Sequence, residues 1–257
     1  MTSRPSKPTI AQIREISQPA SVTGRSNAEH WVADLYLRKI SPYLTRLLLK
    51  TPITANGVTY LMIITGISIS AALLVPGYIG IVMALFLSQL QMLWDCCDGE
   101  IARWRETQSP KGVFLDRLGH YLTESLIPVA LGLRLAGWPN NQINDWQLPF
   151  IGALIGIMIL WNKAFNDFVH VSRAFAGLAK LADAKSVGEP TKSWLRIAKA
   201  PFRIFAVQRL FHSVEMSIII MIFNGSETLL RWGLYLALFV TAGHLLSILG
   251  SKKLERS

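Results

Sequence analysis

Apolar and polar positions divide this chain into long hydrophobic runs separated by short polar turns. Six runs stand out, at about residues 57–74, 80–103, 112–135, 148–171, 204–223 and 229–249. Each is close to the roughly 20 residues needed to cross a bilayer as a helix. Upstream, the pattern changes. Between residues 27 and 50, Trp31, Leu35, Ile40, Leu44, Leu47 and Leu48 recur at near-helical spacing among Arg38, Lys39, Arg46 and Lys50. That is an amphipathic helix suited to lie in the membrane interface, with an interruption expected near Ser41-Pro42. Residues 1–26 are polar, lack the apolar core of a signal peptide, and read as a flexible tail. The pattern therefore predicts an all-α membrane protein, with six transmembrane helices preceded by an N-terminal amphipathic interfacial helix. Residues 51–250 form a single membrane domain and 251–257 a short cytoplasmic tail. No internal period of 20–50 residues is visible, which argues against a repeat protein.

Composition agrees with a membrane assignment, since 51% of the residues are hydrophobic and only 16% charged. Charge then sets the orientation. Segments 1–54, 103–111, 173–203 and 250–257 hold 21 of the 26 Lys and Arg, while the alternate turns at 76–78, 137–147 and 224–228 hold none. Under the positive-inside rule both termini are cytoplasmic, in the cell membrane. The formal charge of +10 is then mostly a cytoplasmic collar facing anionic lipid headgroups and phosphates, and nucleic-acid binding is set aside. Cys96 and Cys97, adjacent and on the cytoplasmic side, are expected to be reduced thiols without chemistry.

The polar residues inside the second and third runs change the picture most. Asp95 and Asp98 are three apart and share a face of one helix; Asp116 and His120 are four apart and share a face of the next. The turn from Arg105 to Lys111 makes these helices antiparallel neighbours and brings the two pairs opposite each other. Acids so close in a poorly polar setting repel unless cations neutralise them. Oxygen ligands with at most one imidazole suit Mg²⁺ or Mn²⁺, as one ion or two. The competing reading, helix-end charges paired with Arg103, Arg105 and Arg117, fits poorly with so many acids in apolar segments. Arg103 is placed to meet a diphosphate through its planar guanidinium. Gly99 and Gly112 allow either close approach of a phosphate or tight helix packing.

The chain Asp95, Asp98, Gly99, Ala102, Arg103, Gly112, Asp116 follows D-x2-D-G-x2-A-R-x8-G-x3-D-x3-D with every interval kept. In this it resembles the CDP-alcohol phosphotransferases, with the likeness extending from about residue 27 to 250. The last position departs, because His120 stands where the family has its fourth aspartate. The resemblance implies substitution at phosphorus: an alcohol acceptor attacks a CDP-linked donor and CMP leaves. It implies Asp95, Asp98 and Asp116 as metal ligands, a pair of ions, a donor site at Gly99, Ala102, Arg103 and Gly112, and a homodimer. The fourth aspartate is the family's base. His120 either takes that task, for which an imidazole titrating near pH 6.5 is suited, or is a neutral metal ligand while Glu124 takes the proton. An inactive protein is the third alternative.

The leading expectation is phosphatidyl transfer from CDP-diacylglycerol to a small polar alcohol in phospholipid synthesis. The alternative is a soluble CDP-alcohol donor with a lipid or polyol acceptor. A scaffold or a transporter fits less well, given the intact motif and the lack of inverted repeats. Lys163 in the fourth run, with Arg203, Arg209 and His212 around the fifth, are the candidates for binding the acceptor.

Overall fold

The computed structural model describes residues 4–5, 8–19, 32–178, 210–251 and 254. Regular structure among these residues is helical throughout: α1 (Ile10–Ser17), α2 (Arg38–Leu48, entered through a π-helical turn at Ala33–Leu37), α3 (Ala55–Leu73), α4 (Gly77–Arg105), α5 (Pro110–Leu135), α6 (Gln147–Phe175), α7 (Ser213–Ile222) and α8 (Glu227–Leu249).

Four of these, α3, α4, α6 and α8, are long and apolar enough to cross a membrane. They coincide with four of the six expected spans. The 112–135 run forms the 26-residue α5, but Lys111, Asp116, Arg117, Glu124 and Arg134 keep it below the apolarity of its neighbours. The run at 204–223 is described only from residue 210, and its helix α7 covers 10 residues. Residues 27–31, Arg203 and Arg209 lie outside the described residues.

Two expectations near the N terminus are corrected. In place of a flexible tail over residues 1–26, residues 10–17 form a helix. Thr9 caps it by accepting from Gln12 N–H while the Gln12 side chain accepts from Thr9 N–H, the reciprocal capping box that satisfies two otherwise orphaned amides. The amphipathic helix is also not interrupted at Ser41-Pro42; α2 runs through Pro42. Proline leaves the carbonyl four residues earlier without its helical donor. That carbonyl belongs to Arg38, and the Gln18 side chain supplies the missing donor at 2.9 Å.

The chain forms two compact units, one from Met1–Ser68 with Phe86–Leu122, the other from Ile69–Leu85 with Thr123–Ser257. In the first, Ala55, Val58, Cys97 and Ile101 form a buried cluster, against which Leu44, Leu48, Leu93 and Trp94 pack. Both cysteines are buried free thiols. The turn between α4 and α5 follows from its residues. Glu106 takes a left-handed conformation (φ 56°), and Thr107 N–H reaches back to Ala102 O at 2.9 Å, closing the end of α4. Ser109 Oγ then accepts from Gly112 N–H, with Pro110 in the first helical position, which starts α5.

In the second unit, Gly152 and Gly156 of α6 lie against the backbone of α5. A Cβ at Gly152 would meet Pro128 O at 2.3 Å, and one at Gly156 would meet Ser125 O at 2.6 Å. Small residues four apart are what bring two membrane helices into backbone contact. Helix α8 packs on α6, where Asn162 Nδ2 donates to Thr241 Oγ1 at 2.5 Å and His244 Nδ1 lies 3.1 Å from Asn162 Oδ1.

Candidate active site

Helices α4 and α5 carry the motif residues, and their tight connection brings Asp95 of the first expected pair beside Asp116 and His120 of the second. His120 Nε2 lies 3.3 Å from Asp95 Oδ1 and 3.6 Å from Asp116 Oδ1. One ligand atom from each of these three residues falls within 4.8 Å of the others. The side chains are partly exposed, 25% for Asp95, 42% for Asp116 and 21% for His120, so neighbouring residues do not close the cluster off. Two carboxylates and an imidazole converging in this way are a donor set for a hard divalent cation. The residues present thus fit a divalent metal.

Asp98 is placed differently. Its Oδ2 accepts a hydrogen bond from Thr59 Oγ1 at 2.7 Å. Thr59 lies on α3 and is buried. Sequence reading missed it because a threonine in an apolar run has no spacing that marks it, and only the packing of α3 on α4 makes it a partner. Gly99 and Arg103, one turn apart on α4, are in contact: a Cβ at Gly99 would come 3.1 Å from both terminal guanidinium nitrogens of Arg103. Glycine here makes room for the guanidinium to lie along the helix. Arg103 Nε also donates to Ser17 O at 2.5 Å. Ala102 packs against the buried Ala55–Ile101 cluster. Gly112 lies in the first turn of α5 beside Asn56, whose Oδ1 would be 3.3 Å from an added Cβ.

In the second unit Glu124 is 1% exposed, and Lys163 Nζ reaches its Oε2 at 2.8 Å. His212 Nδ1 is 3.8 Å from Glu124 Oε1. Two of the four residues expected to meet the acceptor therefore gather on one buried carboxylate.

The sequence profile of the CDP-alcohol phosphatidyltransferases matches residues 52–242, which takes in every motif residue named above. The chain belongs to the CDP-alcohol phosphatidyltransferase family. No curated protein matches the sequence at a significant level. Family membership makes this a membrane-embedded transferase that uses a CDP-alcohol donor and an alcohol acceptor. The family's divalent-metal requirement agrees with the Asp95–Asp116–His120 cluster.

Proposed function

We propose that this protein transfers a phosphatidyl group from CDP-diacylglycerol to a small polar alcohol, with release of CMP, in phospholipid synthesis. The observation that carries this reading is the convergence of Asp95, Asp116 and His120 between two antiparallel helices. Asp95, Asp98 and Asp116 are the proposed ligands for Mg²⁺ or Mn²⁺, as a pair of ions. Bound there, the metal neutralises charge on the diphosphate and on the departing CMP.

The chain's own residues supply the rest. Arg103, lying over Gly99, binds the donor diphosphate, and the small residues Gly99, Ala102 and Gly112 are the proposed neighbours of the nucleotide end. Thr59 holds Asp98 in one orientation. His120 takes the proton from the acceptor hydroxyl as it attacks phosphorus. The position of Nε2 near both carboxylates equally favours a second reading, in which His120 is a ligand. Lys163 and His212, with Arg203 and Arg209, contribute positive charge for the acceptor or a phosphate it carries. The positive-inside pattern supports six spans with both termini and the site at the cytoplasmic face, and residues 27–50 in the interface. The family resemblance also implies a homodimer.

The test is CMP release by purified protein in lipid, with Mg²⁺ or Mn²⁺ and then with chelator. CDP-diacylglycerol is offered in one arm and soluble CDP-alcohols in the other, each with a panel of acceptors. Metal-dependent CMP from the lipid donor is the expected result. CMP from soluble donors alone would overturn the donor assignment and leave the reaction class standing. For His120→Ala, lost turnover with intact metal and donor binding supports the base, whereas lost metal binding supports the ligand.

A further inference from the structure

Glu100 lies on α4 between Gly99 and Arg103, yet it is fully buried on another side of the helix. Its carboxylate collects donors from two other segments. Ser41 Oγ donates to Oε1 at 2.5 Å, Gln18 Nε2 to the same oxygen at 2.8 Å, and Thr45 Oγ1 to Oε2 at 2.6 Å. Arg38 Nη1 adds a charge 3.8 Å from Oε1. A buried carboxylate is stable only when its lone pairs are met in this way. Gln18 is shared, because the same amide donates to Arg38 O, the carbonyl that Pro42 leaves without a helical donor.

The residue just before Gln18 makes the connection to the site. Ser17 Oγ donates to Glu100 O at 3.1 Å, and Ser17 O accepts from Arg103 Nε. Ile13, one turn earlier, is wholly buried and seats the rest of α1. At the far end, Arg4 pairs with Glu106 at 2.5 Å and lies over Trp104, its guanidinium carbon 5.7 Å from the ring centroid. The N-terminal segment is thus tied to α4 at Glu100, Arg103 and Trp104, and to the turn that follows it at Glu106.

We propose that Glu100 and the Ser17–Gln18 end of α1 are positioning residues for Arg103. The buried carboxylate fixes the end of α1, and the fixed end presents a backbone carbonyl that sets the guanidinium over Gly99 for the donor diphosphate. The carbonyl engages Nε, the nitrogen on the stem side of the guanidinium. It lies at the C-terminal end of α1, where the helix dipole adds negative character facing a cation. The proposal rests on the donor-phosphate role given to Arg103 above, and it adds that Ser17 and Gln18, outside the family-matched segment, act with Glu100 in that role.

The test is a double-mutant cycle in the full-length protein. Ile13→Asp places a charge on the buried seat of α1 and releases the helix; Gln18→Ala removes one donor from Glu100 together with the donor to Arg38 O, and keeps Ile13 in its seat. Each is combined with Arg103→Ala, and kcat and KM for CDP-diacylglycerol are read from CMP release. In the native background Ile13→Asp is expected to lower kcat/KM by about tenfold, mainly through KM, and Gln18→Ala by about threefold. In the Arg103→Ala background both losses shrink below about twofold, because the group being positioned is gone. Equal losses in both backgrounds would show that α1 only supports the fold, and would overturn the proposal. An Arg103→Ala variant with unchanged donor KM would overturn it too. Titrating CDP-diacylglycerol binding without acceptor repeats the cycle without turnover. Binding that follows the cycle in a protein releasing no CMP would sink the reaction assignment while upholding the positioning role. Absence of donor binding would sink both.

Discussion

Asp95 and Glu100 are carboxylates five residues apart on α4, and the fold treats them in opposite ways. Glu100 is fully buried and receives hydrogen bonds from Gln18, Ser41 and Thr45, so its charge is met from within the protein. Asp95 is partly exposed and faces another acid, Asp116, across a single imidazole. The first arrangement is complete in itself. The second holds like charges together, an arrangement that a cation from outside would stabilise. Acids in an apolar helix are therefore not equivalent evidence for function: the one with its own donors anchors the fold, and the one aimed at another acid marks the site.

That contrast predicts opposite signs for neutralising the two kinds of acid. The largest effect is expected from Asp116→Asn, which should lower metal-dependent CMP release by about a thousandfold. The same change should stabilise the metal-free protein by about 1 kcal/mol, because it relieves carboxylate repulsion; thermal unfolding in detergent with chelator present measures this. A metal-free protein that is less stable than native would break the comparison. Next, His120→Ala should cut turnover by about a hundredfold with donor binding retained, read by CMP release and by titration with CDP-diacylglycerol. Near-native turnover would remove His120 from the mechanism. Glu100→Ala should cost about 2 kcal/mol of stability in the same unfolding assay, since it strands the buried donors on Ser41 and Thr45 and the part-buried one on Gln18. A neutral result would mean that those donors find other partners. The smallest effect is expected from Thr59→Val, which keeps the side-chain shape and removes the hydroxyl that orients Asp98. An approximately tenfold loss of activity or of Mn²⁺ affinity is anticipated, as for other residues that steady a metal ligand.

The fold was readable where one strong force dominates. Apolar runs of membrane length are legible because each must remove its own backbone from lipid as a helix, whatever its neighbours are. The D-x2-D and D-x3-H spacings were legible for the same reason, since helical periodicity alone places each pair on one face. The N-terminal segment was not legible. Ile10, Ile13 and Ile16 recur every third residue in Thr9–Gln18, but three apolar residues in a short polar stretch do not make a helix by themselves; this one depends on the capping box and on docking against α4. Pro42 misled in a related way: its local effect is to break a helix, and a side chain 24 positions earlier in sequence makes up the lost hydrogen bond.

The amino-acid sequence by itself determined the helical membrane architecture, the register of Asp95, Asp98, Asp116 and His120, and through them the family and the class of reaction. These are local properties, set by helix period and by the cost of exposing backbone or charge to lipid. Tertiary structure alone decided which acid faces which partner. It put Asp98 on Thr59, joined Lys163 and His212 to Glu124, and closed Gln18, Ser41 and Thr45 around Glu100. Such pairings join residues up to about ninety positions apart, and hydrogen bonds act only over about 3 Å. The spacing of residues along one helix carries no information about them until the helices pack.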